Sequence, residues 1–168
     1  MNEEHVVSFT VLGVETNIAC IAVEDDTLQA LLSKGELDCC LVKRILVVDA
    51  KQLLTAAHRA LAAKNSGTLI TRNVYSELLY NLSPSKNITQ SLRTFGAEPS
   101  DREMVLVRFG PKADLMRSAL AWPVASRPFL PQASVSKIKE VYGIKETEAL
   151  STSLLDSILT RIAVKCVI

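Results

Sequence analysis

Short apolar runs rich in valine and isoleucine recur along the chain. They predict β-strands, because branched side chains favour a pleated, half-buried surface. The first two runs are separated by Gly13 and the polar residues 15–17, so we expect a hairpin with its turn there. The third run is clearest from Ile45 onward, and Pro123 in the last run is typical of an edge strand. The predicted strands cover residues 5–12, 18–23, 41–48, 104–109 and 122–125.

Longer segments with apolar residues three and four positions apart predict amphipathic helices. The longest begins after Asp49, whose side chain can cap the first turn, and ends near Lys64. Two short helices follow within residues 71–96, separated by a polar turn that contains a proline. Asn87 is expected to cap the second, and Gly96 to end it in a left-handed conformation. Further helices are predicted over residues 28–33, 113–120, 135–142 and 147–166.

The predicted strands and helices are interleaved, but they do not alternate in strict strand–helix units. This order favours an α+β fold. We expect a mixed, largely antiparallel sheet of about four to five strands, packed with several helices, and a long helix at the C-terminal end. The 168 residues suffice for one domain with a real hydrophobic core, so we expect a single domain over residues 1–168.

The net charge is only +1, but the charged residues are unevenly distributed. Residues 50–97, which we call the basic segment, hold six basic residues and a single acidic one, Glu77. A basic segment in a nearly neutral chain can bind an anionic partner, or it can be the solvated face of helices. Glu77 itself is expected to pair with a nearby base such as Arg72 or Arg93.

The sequence contains no recognisable catalytic or metal-binding motif, because it lacks a glycine-rich phosphate loop, HExxH and CxxC. Its two histidines, His5 and His58, are far apart, and its four cysteines lack the spacing of a metal site or a disulfide framework. The neighbouring Cys39 and Cys40 are expected to lie in the core. No nucleophile has an identifiable base beside it. We therefore expect a non-catalytic protein without a cofactor or metal.

The first residues, the apolar runs and the cysteines of the chain indicate its cellular compartment. The first residues are acidic and polar, unlike a signal or transit peptide. No apolar run approaches the ~20 residues of a membrane span. Cysteines without a disulfide framework are expected to remain reduced. We therefore expect a protein of the cytoplasm and nucleus with no membrane partner.

Two segments could bind a macromolecular partner. In the basic segment, cations, amide side chains and the rings of Tyr75 and Tyr80 are groups that can read single-stranded RNA. The alternative is that both rings belong to the core or its boundary and that the amides serve the turn. The second segment is the apolar stretch of residues 163–168, which must dock either in the chain's own core or on a partner.

Short matches to a known family run in order through the basic segment: Thr71-Arg72, Glu77-Leu78-Leu79, Asn81-Leu82-Ser83-Pro84, Asn87-Ile88 and Phe95-Gly96. In this order they resemble the signature of the PRPK-binding protein family. That family supplies the smallest common subunit of the KEOPS (EKC) tRNA-modification complex. The resemblance covers nearly the whole chain and is densest between Asp49 and Gly96 and in the C-terminal helix.

The resemblance implies a non-catalytic regulatory subunit. Members of the family bind and stimulate the kinase-like ATPase subunit of KEOPS, which in turn holds the subunit that makes threonylcarbamoyladenosine in tRNA. The kinase contact is attributed to the C-terminal helical region, which docks on the N-lobe of the kinase. Carried over to this sequence, the contact implies Leu159, Ile162, Ala163, Lys165, Val167 and Ile168.

Archaeal members of the resembled family also bind the unpaired 3′ end of tRNA. This implies a second set of residues in the basic segment: Lys64, Arg72, Asn73, Asn81, Ser83 and Lys86. The sequence thus leaves two hypotheses. In the first, the chain is a KEOPS subunit with a kinase-binding face and an auxiliary tRNA-binding face. In the second, it is a free-standing small-molecule-binding or enzymatic domain of the α+β class.

Overall fold

The structure is a computed structural model that describes residues 5–23, 38–115, 124–127 and 133–165. The chain divides into two compact units, one formed by Met1–Arg44 with Gly96–Leu130 and the other by Ile45–Phe95 with Pro131–Ile168. We call the first the sheet unit, because every described strand lies in it, and the second the helical unit. The single domain expected from the sequence stays a prediction.

Five described strands of the sheet unit form one sheet: β1 (Val6–Val11), β2 (Val14–Val23), β3 (Cys40–Lys43), β4 (Glu103–Phe109) and β5 (Val124–Arg127). Their order is β1-β2-β4-β3, and β5 pairs with the part of β2 that extends beyond β1. Every described pairing is antiparallel. Together with the helices of the helical unit, this sheet confirms the predicted α+β class.

One face of the sheet carries a hydrophobic cluster. Ala19 of β2 stands opposite Val6 of β1 and Leu106 of β4. Leu106 in turn stands opposite Leu41 of β3, so apolar side chains from four strands share this face. The buried members of the cluster are Val6, Ala19, Ile21, Val23, Cys39, Leu41, Met104, Leu106 and Leu115.

The turn between β1 and β2 is tighter than the sequence suggested. Leu12 and Gly13 both have positive φ, 48° and 77°, as in the two-residue turns that match the twist of a hairpin. Because β2 starts directly after Gly13, the prediction of a turn over residues 15–17 is wrong. Asn17 is buried inside the strand, and its side-chain amide donates to Gly110 O at 2.7 Å. A distant acceptor therefore allows a polar residue in the strand.

The third strand lies earlier in the chain than predicted. Pairing with β4 covers only Cys40–Lys43, and a 3-10 helix follows over Arg44–Leu46, so the prediction that the strand continues there is wrong. Branched residues gave this segment a strand signal, but its backbone bonds to a side chain instead of another strand. Gln52 Nε2 donates to Leu46 O at 3.0 Å, and Gln52 Oε1 accepts from Val48 N at 2.9 Å.

The helical unit contains α1 (Ala50–Ser66), α2 (Val74–Leu82), α3 (Ile88–Phe95), α4 (Val135–Tyr142), α5 (Glu146–Ala149) and α6 (Leu154–Val164). α1 packs against α2 and α6, and α2 packs against α3. Within the described ranges, every helix is too short or too polar to cross a membrane. The helix predicted over residues 28–33, and most of the one predicted over residues 113–120, lie outside the described residues.

Several helix ends follow local signals in the sequence. Asp49 caps α1 by accepting from Lys51 N at 2.8 Å, and Gly67 ends this helix with a φ of 68°. Asn87 Oδ1 accepts from Gln90 N at 2.9 Å in the first turn of α3. Each cap satisfies a backbone group that the helix leaves open, and the predicted caps at Asp49 and Asn87 are confirmed.

The predicted left-handed cap at Gly96 is wrong. Gly96 follows α3 as expected, but it has no positive φ and instead forms an isolated antiparallel bridge with Val42. Beside this bridge, Ala97 N donates to Leu41 O at 3.0 Å. The backbone is therefore extended after α3, because it pairs with β3 rather than closing the last helical turn.

The predicted C-terminal helix is present as α6, but it is shorter than expected. Residues 147–166 do not form one helix, because the four-residue α5 ends at Ala149 and α6 starts at Leu154. Ser153 caps α6, with its Oγ accepting from Asp156 N at 3.1 Å. Consecutive hydroxyl side chains compete for backbone hydrogen bonds and favour caps over helix interiors. The pattern of apolar residues alone therefore missed the break.

Two buried polar side chains join the helices of the helical unit. The Tyr142 hydroxyl, at the end of α4, donates to Leu82 O at the end of α2 over 2.7 Å. It also accepts from Gln52 Nε2 of α1 at 2.9 Å. The Tyr142 ring packs edge-on against Phe95 of α3, with the ring centroids 5.8 Å apart. Loss of the hydroxyl would therefore leave buried polar groups without a partner.

We expect Tyr142→Phe to destabilise the protein by about 1–3 kcal/mol, the cost of an unsatisfied buried polar group. The substitution removes the hydroxyl and keeps the ring that packs against Phe95. Urea denaturation followed by circular dichroism measures the change. As a control, Val135→Ala on α4, where the side chain is 51% exposed, should cost less than about 0.5 kcal/mol. Unchanged stability of Tyr142→Phe would contradict this role of the hydroxyl.

Candidate functional site

The tRNA-binding residues implied by the resemblance all lie in the helical unit, and they divide into exposed and buried side chains. Two of them, Asn81 and Ser83, have only 3% and 2% of their surface exposed. The exposed members are Lys64, Arg72, Asn73 and Lys86. Because a phosphate backbone can approach only exposed cations, the accessible charge of this set lies on its three basic residues.

The polar side chains of Asn81 and Ser83 make structural hydrogen bonds. Asn81 Nδ2 donates to Glu77 O at 2.9 Å, one turn earlier in α2, and Asn81 Oδ1 accepts from Arg59 Nε of α1 at 3.3 Å. Ser83 Oγ accepts from Ser85 N at 3.1 Å in the turn after α2. Both side chains thus hold the local backbone, which is the alternative that the sequence left open for these polar residues.

Asn73 also has a structural role, although it is exposed. Its Oδ1 accepts from Tyr75 N at 3.0 Å and from Ser76 N at 2.9 Å, and Ser76 Oγ accepts from Asn73 N at 3.1 Å. This reciprocal capping box satisfies open amides at the start of α2. Arg72, immediately before the cap, is therefore held at a fixed helix start.

Glu77, the acidic residue of the basic segment, is almost fully buried, with 2% of its surface exposed. Its Oε2 accepts from Ile70 N at 3.1 Å, Thr71 N at 2.8 Å and Thr71 Oγ1 at 2.8 Å. Within the described residues it has no cationic partner, so the expected ion pair with Arg72 or Arg93 is wrong. Backbone amides, a hydroxyl and the positive end of the α2 dipole take the place of a cation.

A cleft of about 250 Å³ lies beside Glu77, between the end of α1, the segment after it and α2. It combines an acidic side chain, a basic side chain, polar groups and apolar groups. In the described part of the chain, no three His, Cys, Asp or Glu side chains are grouped so that they could hold a metal ion. The cleft is lined by Arg59, Ala62, Ala63, Ser66, Thr68, Ile70, Glu77 and Asn81.

The kinase-contact residues implied by the resemblance also differ in exposure. Ala163 is exposed and Leu159 is half-buried, and they lie one turn apart on α6. Ile162 is 1% exposed and belongs to the core of the helical unit. Val167 and Ile168 lie outside the described residues. The described part of this set therefore offers a partner Leu159 and Ala163.

Lys165, the last described residue, is 4% exposed. Its Nζ lies 3.3 Å from the centroid of the Tyr80 ring and donates to Tyr80 O. On the same helix, Ala163 O accepts from Arg59 Nη1 of α1 at 2.7 Å. Both contacts hold the end of α6, because the first joins it to a carbonyl of α2 and the second joins its own carbonyl to α1. The Tyr80 ring is 5% exposed and lies in the fold, as the alternative to RNA stacking expected.

Arg59 and Glu77 were missed as site residues, although both line the cleft. A signal existed for Glu77, because it is the single acidic residue of the basic segment. Arg59 was predictable only as one of the cations of the basic segment, because its partners Asn81 and Ala163 lie 22 and 104 residues further along the chain. Only the packing of three helices brings these groups together.

The cysteines of the sheet unit are core residues. Cys20, Cys39 and Cys40 are free and buried. Burial raises the pKa of the Cys39 thiol to about 12 and raises the pKa of the Cys40 thiol well above its ordinary value. A protonated thiol is a poor nucleophile and a poor metal ligand. The core position predicted for Cys39 and Cys40 is confirmed.

A bidentate ion pair joins α5 to α6. Arg161 Nη1 donates to Glu148 Oε1 at 2.7 Å, and Arg161 Nη2 donates to Glu148 Oε2 at 2.8 Å. These hydrogen bonds lower the pKa of Glu148 from 4.5 to about 2. The pair fixes the short α5 at the start of the helix that carries Leu159 and Ala163.

Exposed cations, a small cleft and a half-exposed helix face are features of a protein that binds other molecules. The family described as kinase binding protein CGI-121 matches residues 21–166. The chain belongs to this family, and the resemblance seen in the sequence is confirmed. The family description names binding and no reaction, in agreement with the predicted non-catalytic function.

Relatives of the chain are named as subunits of one complex. The Danio rerio protein "EKC/KEOPS complex subunit TPRKB" is 30% identical over 144 residues, which are 82% of this chain and 82% of that protein. The Aspergillus fumigatus "EKC/KEOPS complex subunit cgi121" is 26% identical over 151 residues, 79% of this chain and 80% of the relative. The Neurospora crassa protein of the same name is 38% identical over 84 residues, 49% of this chain and 41% of the relative.

The Glu148–Arg161 pair predicts a loss of stability in acid. Because the pKa of Glu148 is lower in the folded chain than its ordinary value, the pair stabilises the fold above pH 4.5, and this contribution is lost as the pH falls towards 2. Urea denaturation at several pH values should show a steeper loss of stability for the wild type than for Glu148→Gln across this window. Parallel pH profiles of the two proteins would contradict the assignment.

Proposed function

We propose that this chain is a non-catalytic subunit of a KEOPS/EKC complex that binds and stimulates the kinase-like ATPase subunit of PRPK type. The support is the family, which is described as kinase-binding, and the relatives named as subunits of the complex. The matches to the first two relatives cover about four fifths of both chains. They favour this function over a free-standing small-molecule-binding or enzymatic domain.

The observation that carries the proposal is the pattern of exposure along α6. Ile162 and Lys165 hold the helix in the helical unit, whereas Leu159 and Ala163 remain at the surface on an adjacent flank. An apolar flank on a firmly held helix can bury its surface in a partner's groove without a cost for ordering the helix. We therefore assign kinase contact to Leu159 and Ala163, and positioning of the helix to Ile162 and Lys165.

Ala163→Arg should weaken binding to the kinase-like ATPase subunit at least about tenfold, equivalent to roughly 1.4 kcal/mol. A long charged side chain on this flank would separate the two surfaces. The carbonyl of residue 163, which accepts from Arg59, is unchanged, so α6 should stay in place. Isothermal titration calorimetry measures the affinity. ATPase assays of the kinase subunit, with and without the chain, should show stimulation by the wild type and little by the variant.

The matched control is Ser136→Arg, the same residue introduced at an exposed position of α4. It should bind and stimulate like the wild type. Ile162 gives a poorer test, because a charge there would disrupt the core. Wild-type affinity of Ala163→Arg would contradict the assignment to α6. Failure of the wild-type chain to bind the kinase subunit would contradict the proposed function itself.

We further propose that the exposed cations of the basic segment assist tRNA binding. Lys64, Arg72 and Lys86 are exposed, and the capping box of α2 holds the backbone next to Arg72. Cations that contact phosphates raise affinity in a salt-dependent way that is largely independent of sequence. The resemblance to members that bind the unpaired 3′ end of tRNA supports this role. The competing interpretation is that these cations only form the solvated face of helices. The control is therefore a charge change at an exposed helix position outside the basic segment.

Arg72→Glu should weaken tRNA binding and lower the slope of log affinity against log salt by about one, as for the loss of one phosphate contact. Lys137→Glu, the same charge change at an exposed position of α4, should have a smaller effect. Fluorescence anisotropy over a range of salt concentrations measures both. Trimming the unpaired 3′ end should also weaken binding to the wild type. Equal effects of the two variants would exclude the basic segment as the tRNA-binding face.

A further inference from the structure

The outer edge of the strand β1 is open within the part of the chain that the structure describes. β1 pairs with β2 alone, and β5 pairs with a different part of β2. At the opposite edge of the sheet, β3 is covered by the chain itself. Val42 forms a bridge with Gly96, and Leu41 O accepts from Ala97 N at 3.0 Å. The two edges of the sheet therefore differ, and only the edge at β1 offers backbone groups to another strand.

The hairpin determines which backbone groups of β1 face outward. Its two-residue turn starts directly after Val11, so hydrogen-bonded and non-bonded pairs alternate from this residue back along β1. Ser8 and Thr10 belong to the non-bonded pairs, and their N–H and C=O groups point away from β2. The residue opposite Thr10 shows the same pattern, because Glu15 O accepts from Gly110 N on the β4 side at 2.8 Å. Ser8 and Thr10 are both exposed.

β1 lacks the features by which proteins protect an open edge strand. Its six residues include no charged residue and no proline, and its register with β2 runs without a bulge. An uncharged edge strand with branched and aromatic side chains is a template for pairing with another strand. This edge is therefore suited to the addition of a strand.

The sequence of β1 is complementary to itself in the antiparallel direction. Val7, Phe9 and Val11 share one face of the strand, because side chains alternate between faces. When two copies pair about Phe9, Val7 of each copy faces Val11 of the other, and the two Phe9 rings face each other. Branched and aromatic pairs of this kind stabilise a sheet. In the same register the outward groups of Ser8 face those of Thr10, and each such pair can exchange two hydrogen bonds.

We propose that β1 binds β1 of a second copy of this chain in antiparallel orientation, with a two-fold axis at Phe9, so that the two sheets join. A copy fits this edge because one register satisfies the outward backbone groups and covers Val7, which is 40% exposed. Neither copy brings a charged side chain of β1 into the contact, so like charges do not oppose each other. A short strand pair buries less than the ~1,200–2,000 Å² of a stable interface, so the dimer is weak.

Sedimentation velocity of the full chain over a range of concentrations tests the proposal. The wild type should change from monomer to dimer between about 10 µM and 1 mM, as a weak complex does. Val7→Lys places a charge in the contact. Thr10→Pro removes an outward amide and leaves the hydrogen bonds to β2 in place. Each substitution should raise the dissociation constant of the dimer at least about tenfold.

The matched control is Val135→Lys, the same change at an exposed position of α4. It should dimerise like the wild type. Circular dichroism of each variant shows whether the fold is kept. If Val7→Lys does not fold, Thr10→Pro and the cross-linking of the two strands still test the proposal.

Disulfide cross-linking tests the register. In a Cys166→Ser background the remaining native cysteines are buried, so an introduced cysteine is the reactive thiol. Phe9→Cys places two thiols opposite each other at the axis, with Cα atoms about 4.5 Å apart, which a disulfide can span. Val7→Cys places the thiols of the two copies roughly 14 Å apart, out of reach. Mild oxidation should therefore cross-link Phe9→Cys several-fold faster than Val7→Cys.

Three results would overturn the proposal: a wild type that stays monomeric at the highest concentration, a dimer that neither Val7→Lys nor Thr10→Pro weakens, or equal cross-linking of Phe9→Cys and Val7→Cys. Monomeric behaviour would leave the edge to a strand of a different protein. The residues assigned to the kinase subunit and to tRNA lie in the helical unit, whereas β1 lies in the sheet unit. Self-association and the proposed function can therefore fail separately.

Discussion

The helical unit depends on the buried hydrogen bonds of Tyr142 and Gln52. They bond Leu82 O and the segment before α1, so apolar side chains in their place would leave backbone groups without partners. Hydrogen bonds are directional, and those of Tyr142 join residues that lie far apart in the sequence. The relative positions of α1, α2 and α4 are therefore fixed from inside. The exposed residues that we assign to the kinase subunit and to tRNA are carried by helices whose places are already set.

Side chains also bond backbone carbonyls at the ends of other helices. Carbonyls near the end of a helix can accept from groups outside it, and here long side chains from elsewhere in the helical unit bond them. Lys165 donates to Tyr80 O, and Arg59 donates to Ala163 O. Two cations that residue type alone would place on a binding surface thus bond carbonyls of the protein's own helices. The number of basic residues therefore overstates the charge that a phosphate backbone can reach.

Local signals predicted much of the fold, but little of the site. The caps at Asp49 and Asn87 were predictable, because each depends on backbone amides within one turn. The roles of Asn81 and Lys165 were not, because their partners lie 22 and 85 residues away. Residue type cannot distinguish an asparagine that contacts RNA from one that bonds Arg59. The exposure of the side chain distinguishes the two cases. Exposure follows from the packing of several segments, which no single segment of the sequence encodes.

Arg59 lies between the two proposed binding faces, since it bonds Ala163 O in α6 and Asn81 at the cleft. A partner on α6 could change the cleft only by moving this helix, because coupling requires two arrangements of the connecting element. Ile162 in the core and Lys165 against Tyr80 oppose such a movement. The structure therefore favours independent contributions of the two faces. A kinase subunit and a tRNA would then cooperate by being held close together, which raises their effective concentration without a conformational signal.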